Sequence, residues 1–110
     1  MISSPIVENG VVYVGSSDGN IYALDAKTGK LIWRYATSGR IWSSPTYWKG
    51  AVYVGSSDNR LYALNASNGK VIWIFKSYNR IQSSPIVYGG AVYFGSWDNY
   101  MYALNAPTAN

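Results

Sequence analysis

A chain of 110 residues is long enough for one small domain or a piece of a larger one, and it excludes a two-domain enzyme. With 48% hydrophobic, 16% aromatic and 13% charged residues it has the means to bury a core, so a disordered tail is excluded as well. Cysteine and histidine are absent and the net charge of +4 gathers into no Lys/Arg run, which excludes a disulfide framework, Cys/His metal sites, imidazole or thiolate catalysis and a nucleic-acid stripe.

The predicted elements are strands. In chain order the first four run from Ser4 to Val7, Val11 to Ser16, Asn20 to Asp25 and Lys30 to Tyr35. Asn9-Gly10 joins the first to the second and Asp18-Gly19 the second to the third, dipeptides whose tolerance of positive φ suits two-residue hairpins. Ala26-Lys27-Thr28-Gly29 turns the third into the fourth, and a longer stretch from Ala36 to Trp42 leads onward. No apolar stripe of period 3.6 is long enough for a helix, and no apolar run approaches the roughly 20 residues of a membrane span.

The series then starts again. Ser3-Ser4-Pro5 returns as Ser43-Ser44-Pro45 and Ser83-Ser84-Pro85, and 20 of 40 positions are identical between residues 1–40 and 41–80. The units are 1–40, 41–80 and a shorter 81–110 that ends before a fourth strand, the third strand there running from Tyr100 to Asn105. Val11-Val12-Tyr13-Val14 and Leu31-Ile32-Trp33 are apolar almost without interruption, where a sheet wet on one face would alternate. Small antiparallel sheets covered on both faces and repeated every 40 residues predict an all-β protein of β-propeller blades, two full and a third lacking its outer strand. A β-solenoid is the weaker alternative, since its rungs are shorter and lack regular hairpin dipeptides.

The string from Ala23 to Trp33, Ala-Leu-Asp-Ala-Lys-Thr-Gly-Lys-Leu-Ile-Trp, resembles the tryptophan-docking motif of pyrroloquinoline-quinone-type (PQQ-like) propeller repeats, with Ser-Ser-Pro opening the blade and Val-Tyr-Val-Gly-Ser in its second strand. It recurs from Ala63 to Trp73, with Asn68 where the pattern has a turn-capping threonine, and again from Ala103, where it stops before its glycine and tryptophan. The resemblance covers the whole chain. It implies that Trp33 and Trp73 lie between blades, packed on small neighbours of the kind found at Gly29, Gly69, Ala23 and Ala63. It implies an extracytoplasmic setting, although the first five residues have no signal-peptide character.

Catalytic chemistry is thin. Gly15-Ser16-Ser17-Asp18-Gly19 fits the G-x-S-x-G pattern of serine hydrolases, but that elbow needs a strand-to-helix turn and a histidine, so the string reads as a blade turn. Asp18, Asp58 and Asp98 read as Asx-type turns rather than calcium ligands. Relatives that are quinone dehydrogenases use calcium, an aspartate base, a stacking tryptophan and often a vicinal cysteine pair. This chain has no cysteine, and Trp42 is its one candidate stacking platform, so no catalytic residue, cofactor or metal is assigned.

In a four-strand meander the connection from one unit to the next shares one end of the blade with the turn between the second and third strands. That rim gathers Arg40, Trp42, Arg60, Arg80, Gln82, Trp97 and Tyr100, several of which differ between units while the strand residues repeat. These are the candidate binding residues for a protein, peptide or glycan. Arg40 and Arg80 are expected to pair with Asp58 and Asp98; the alternative is a basic ring that attracts anions. Asn65-Ala66-Ser67 is a formal glycosylation sequon at the other end. The favoured function is a non-catalytic binding or assembly scaffold, self-associating as a homo-oligomer to cover its open outer blades. The alternatives are a segment of a quinoprotein dehydrogenase and an excised or engineered propeller fragment active only in assembly.

Overall fold

A computed structural model describes residues 4–81, 83–97 and 100–106 of the chain. Among the described residues eleven strands form three antiparallel sheets. In the first sheet β1 (Ile6–Glu8), β2 (Val11–Gly15), β3 (Asn20–Asp25) and β4 (Leu31–Ala36) lie side by side in chain order. The second repeats this with β5 (Thr46–Trp48), β6 (Ala51–Gly55), β7 (Arg60–Asn65) and β8 (Val71–Lys76). The third consists of β9 (Ile86–Tyr88), β10 (Ala91–Gly95) and β11 (Met101–Asn105), with β11 at its edge. These are partial propeller blades, the predicted fold class.

Register follows from turn chemistry. Asn9-Gly10, Lys49-Gly50 and Gly89-Gly90 all have positive φ at both residues, which matches the right-handed twist of the flanking strands. Thus Glu8 pairs with Val11, Trp48 with Ala51 and Tyr88 with Ala91. The turn between the second and third strands is longer than Asp18-Gly19 suggested. Gly19 N donates to Ser16 O and Ser16 N to Asn20 O, so residues 17–19 form the loop and only Gly19 takes positive φ. One extra residue is needed because Asp18 spends its carboxylate on the turn itself, accepting from Asn20 N at 2.9 Å. The register slips once between β3 and β4, at Ala23/Leu24, and at the same place in the second blade, at Ala63/Leu64.

Because side chains alternate along a strand, each blade shows one residue set to the next blade and the other to the previous one. Tyr13, Ile21, Ala23 and Trp33 of the first blade pack on Val52, Val54, Tyr62 and Leu64 of the second. Ala51, Tyr53, Leu61 and Ala63 on the second blade's other side pack on Val92 and Phe94 of the third. This makes two interblade cores. The expectation that both faces of every sheet are covered holds for the middle blade, whose β6 is buried throughout. In the outer blades one face each is open.

Candidate functional site

Two kinds of place carry residues singled out by the sequence: the contacts between blades, and the rim that bears the blade-to-blade connections.

At the first interblade contact Trp33 is 7% exposed and donates its indole N–H to Ala66 O at 2.8 Å, and the Tyr13 hydroxyl meets the same carbonyl at 3.3 Å. A Cβ added to Gly69 would stand 2.5 Å from Trp33 Cε3, so glycine is required by the indole as well as by its φ of 76°. Gly29, at the equivalent turn of the first blade, has φ 75° but faces open space. Ala23 and Ala63 are wholly buried, one in each interblade core. Trp73 is only partly buried; it packs against the second core with its ring centroid 6.4 Å from that of Tyr53. Asn68 keeps the turn capped, its Oδ1 accepting from Lys70 N at 2.9 Å as Thr28 Oγ1 does from Lys30 N at 3.3 Å. The sequon's Ala66 is buried at the blade contact, and Asn65 Oδ1 accepts from Ser67 N and Oγ.

The two serines of Ser-Ser-Pro do different work. Ser43 and Ser83 lie beside the second strand of their own blades, where their Oγ accepts from Gly55 N and Gly95 N at 3.2 and 2.8 Å. Ser44 and Ser84 link blades: Ser4 N donates to Ser44 Oγ and Ser44 N to Ser84 Oγ. This chain of hydrogen bonds steps from blade to blade, and sequence reasoning missed it although the 40-residue recurrence was its signal.

On the rim, the connections are anchored by Ile41 and Ile81, which are 1% and 0% exposed. Ile41 N donates to Ser16 O and Ile81 N to Ser56 O. Immediately before them, Arg40 O accepts from Ser57 N and Arg80 O from Trp97 N. With the backbones held in this way both arginine side chains are exposed. Arg40, Trp42 and Arg80 line one cleft of about 340 Å³ together with Ser38, Gly39 and Ser57. The Arg80 guanidinium sits over Trp97 at 5.3 Å. Arg60 stands apart from this cleft, with Nη1 3.8 Å from Asp58. Tyr100 is exposed beside Tyr102, and Gln82 lies outside the described residues.

The expected Arg40–Asp58 pair does not form. Asp58 is occupied by other partners: it accepts from Arg60 N in its own turn and from Ser38 N of the preceding connection, each at 3.1 Å, and from the Tyr62 hydroxyl, and it pairs with Arg60. The expected partner of Arg80, Asp98, lies outside the described residues. Asp18 repeats the arrangement with Asn20 N and the Tyr22 hydroxyl, and the tyrosine hydrogen bond holds its carboxyl down at about 2. Burial, then the bond to Asp58, pushes Tyr62 well above its ordinary range, and burial alone takes Tyr53 to about 12. Among the described residues no three His, Cys, Asp or Glu side chains stand close enough to hold a metal ion.

A family model described as outer membrane protein assembly factor BamB matches residues 2–110. The chain belongs to this PQQ-like propeller family. BamB from Moraxella catarrhalis superposes with a TM-score of 0.83 at 25% identity, over 92% of this chain and 32% of that one. The quinohemoprotein alcohol dehydrogenase ADHIIG from Pseudomonas putida HK5 superposes with a TM-score of 0.86 at 30% identity, over 98% of this chain and 19% of that one. Among curated sequences, lupanine 17-hydroxylase [cytochrome c] from a Pseudomonas species is 49% identical over 35 residues, 32% of this chain and 5% of the relative. The chain is thus related both to an assembly factor and to quinone-type dehydrogenases, and it spans about a twentieth of that curated relative. No helix among the described residues is long and apolar enough to cross a membrane.

Proposed function

We propose that the chain is a non-catalytic propeller scaffold, extracytoplasmic like the outer membrane assembly factor whose family it shares, and that copies join head to tail through their outer blades. One observation carries this reading. The third blade exposes Tyr93 and Met101 at 39% and 75%, while their counterparts Tyr53 and Leu61 in the second blade are at 0%. The first blade leaves Val12, Val14, Tyr22 and Leu24 only half-buried, the positions at which Val52, Val54, Tyr62 and Leu64 fill an interblade core. The two open faces are therefore repeat copies of two faces that already fit each other twice within the chain. Removing apolar surface of this kind from water gains roughly 25 cal/mol per Å², which favours association once the entropic cost of joining two chains is met. The rim connections then remain free for a protein, peptide or glycan. Sedimentation velocity of the 12.1 kDa chain tests the reading: mass at a multiple of the monomer is expected, and a stable monomer at high concentration would refute it.

A second reading, a segment of a quinoprotein dehydrogenase, draws support from the 30% identity to the alcohol dehydrogenase over nearly the whole chain. The residues here do not fit that group's cofactor site: no cysteine pair exists, and the described aspartates Asp18, Asp25 and Asp58 are each held by hydrogen bonds in or beside their own turns. The mass of the natural gene product bears on the readings, since this chain covers 19% of the alcohol dehydrogenase and 32% of BamB, so a product about five times this length favours the dehydrogenase.

A further inference from the structure

We infer that the cleft between the Arg40 and Arg80 connections is an oxyanion site, for a carboxylate or phosphate group carried by a ligand that lies on this rim. The inference deepens the rim-binding part of the proposed function and does not depend on self-association.

Arg40 and Arg80, from equivalent positions of successive connections, line one cleft of about 340 Å³, and among the described residues no acidic side chain lines it with them. Their backbones are fixed by the Ser57 N–H and the Trp97 N–H, and the buried Ile41 and Ile81 beside them pin the connections to the interblade cores. Asp58 is satisfied by Arg60, Tyr62 and two backbone N–H groups, so it is not offered to Arg40. Backbone donors around the cleft are committed too: Ser38 N to Asp58, Gly39 N to Thr37 Oγ1 and Ser57 N to Arg40 O. The residues that line the cleft offer a ligand two arginines, Arg80 with its guanidinium over Trp97, the Ser38 and Ser57 side chains and the indole of Trp42.

Like charges that meet in one cleft repel, and an anion between them relieves this while gaining bidentate, charge-assisted hydrogen bonds. Guanidinium geometry suits planar carboxylates and phosphate oxygens alike, and an indole beside it gives the ligand's apolar part a surface. A neutral glycan would leave both forks unmatched.

The test titrates the full chain with citrate and, separately, with inorganic phosphate, following the indole N–H resonance of Trp42. A saturable shift with at least one anion is expected, weakening as ionic strength rises. Which anion saturates identifies a carboxylate or a phosphate source. Arg40→Gln and Arg80→Gln should each lower the affinity at least tenfold at unchanged melting temperature, while Lys27→Gln, in the exposed β3–β4 turn at the other end of the blades, should leave it as it was. No saturable shift with either anion, or binding that survives both cleft substitutions, would overturn the assignment. Sedimentation of the same samples reports assembly separately, so a failure to self-associate is not mistaken for a failure to bind.

Discussion

The middle blade and its two flanking blades are built from nearly the same residues, yet they differ sharply in burial. Tyr53 and Leu61 are at 0%, and their first-blade counterparts Tyr13 and Ile21 at 3% and 0%, because each has a blade in front of it. Tyr93 and Met101, which have none, stand at 39% and 75%. The same comparison holds for the turn glycines, Gly69 pressed against an indole and Gly29 facing open space at the same φ. In a repeat protein the chemistry of a position is thus set by the sequence, and its energetic weight by whether the neighbouring repeat is present.

The largest effect that could break this comparison is at the two tryptophans. Trp33→Ala removes a buried indole and its hydrogen bond to Ala66 O, and a loss of about 3–5 kcal/mol in denaturant unfolding is expected. Trp73→Ala should cost distinctly less, because part of that side chain is already open. Equal losses would mean that the face around Trp73 is as fully covered as the one around Trp33. Trp42→Ala, at the rim, should cost least of the three.

A smaller and sharper test uses the glycines. Gly29→Ala meets only the strain of a left-handed backbone, about 1–2 kcal/mol. Gly69→Ala meets the same strain and also drives a methyl into Trp33, adding about 1–3 kcal/mol of overpacking. Melting curves of the two variants measure that difference directly. If the two shifts were equal, the indole would not rest on Gly69 in solution.

How much of this was legible in the sequence depends on what repeats. The strands, the blade order and the first-to-second-strand hairpins follow from the 40-residue recurrence and from Asn9-Gly10, since both constrain the backbone locally. Strand limits came within two residues: β1 begins at Ile6 rather than Ser4, and β4 covers Leu31–Ala36 rather than Lys30 to Tyr35. The longer turn at 17–19 was hidden because Asp18-Gly19 looks like a hairpin dipeptide until the aspartate's own hydrogen bonds are counted. The rim was half legible. Topology assigned Arg40, Trp42 and Arg80 to one end of the blades and the structure brings these three to one cleft, but spacing along the chain did not say which partner Asp58 would choose. The signal was available in the recurrence of tyrosine four residues after each turn aspartate, at Tyr22, Tyr62 and Tyr102. A rigid phenol on the adjacent strand loses less freedom on pairing than a long arginine side chain does.

The central claim is that the open face of the third blade receives the open face of the first blade of another copy. Within the chain, Ser4 N bonds Ser44 Oγ and Ser44 N bonds Ser84 Oγ, so a head-to-tail partner would bring its Ser4 to the Ser84 of the first copy. The absence of cysteine makes the pair Ser4→Cys with Ser84→Cys a clean reporter. Under mild oxidation the double variant should form disulfide-linked species at multiples of 12.1 kDa through bonds joining residue 84 of one copy to residue 4 of the next. Monomer alone, or equally efficient dimers from either single variant, would contradict head-to-tail pairing of the blades.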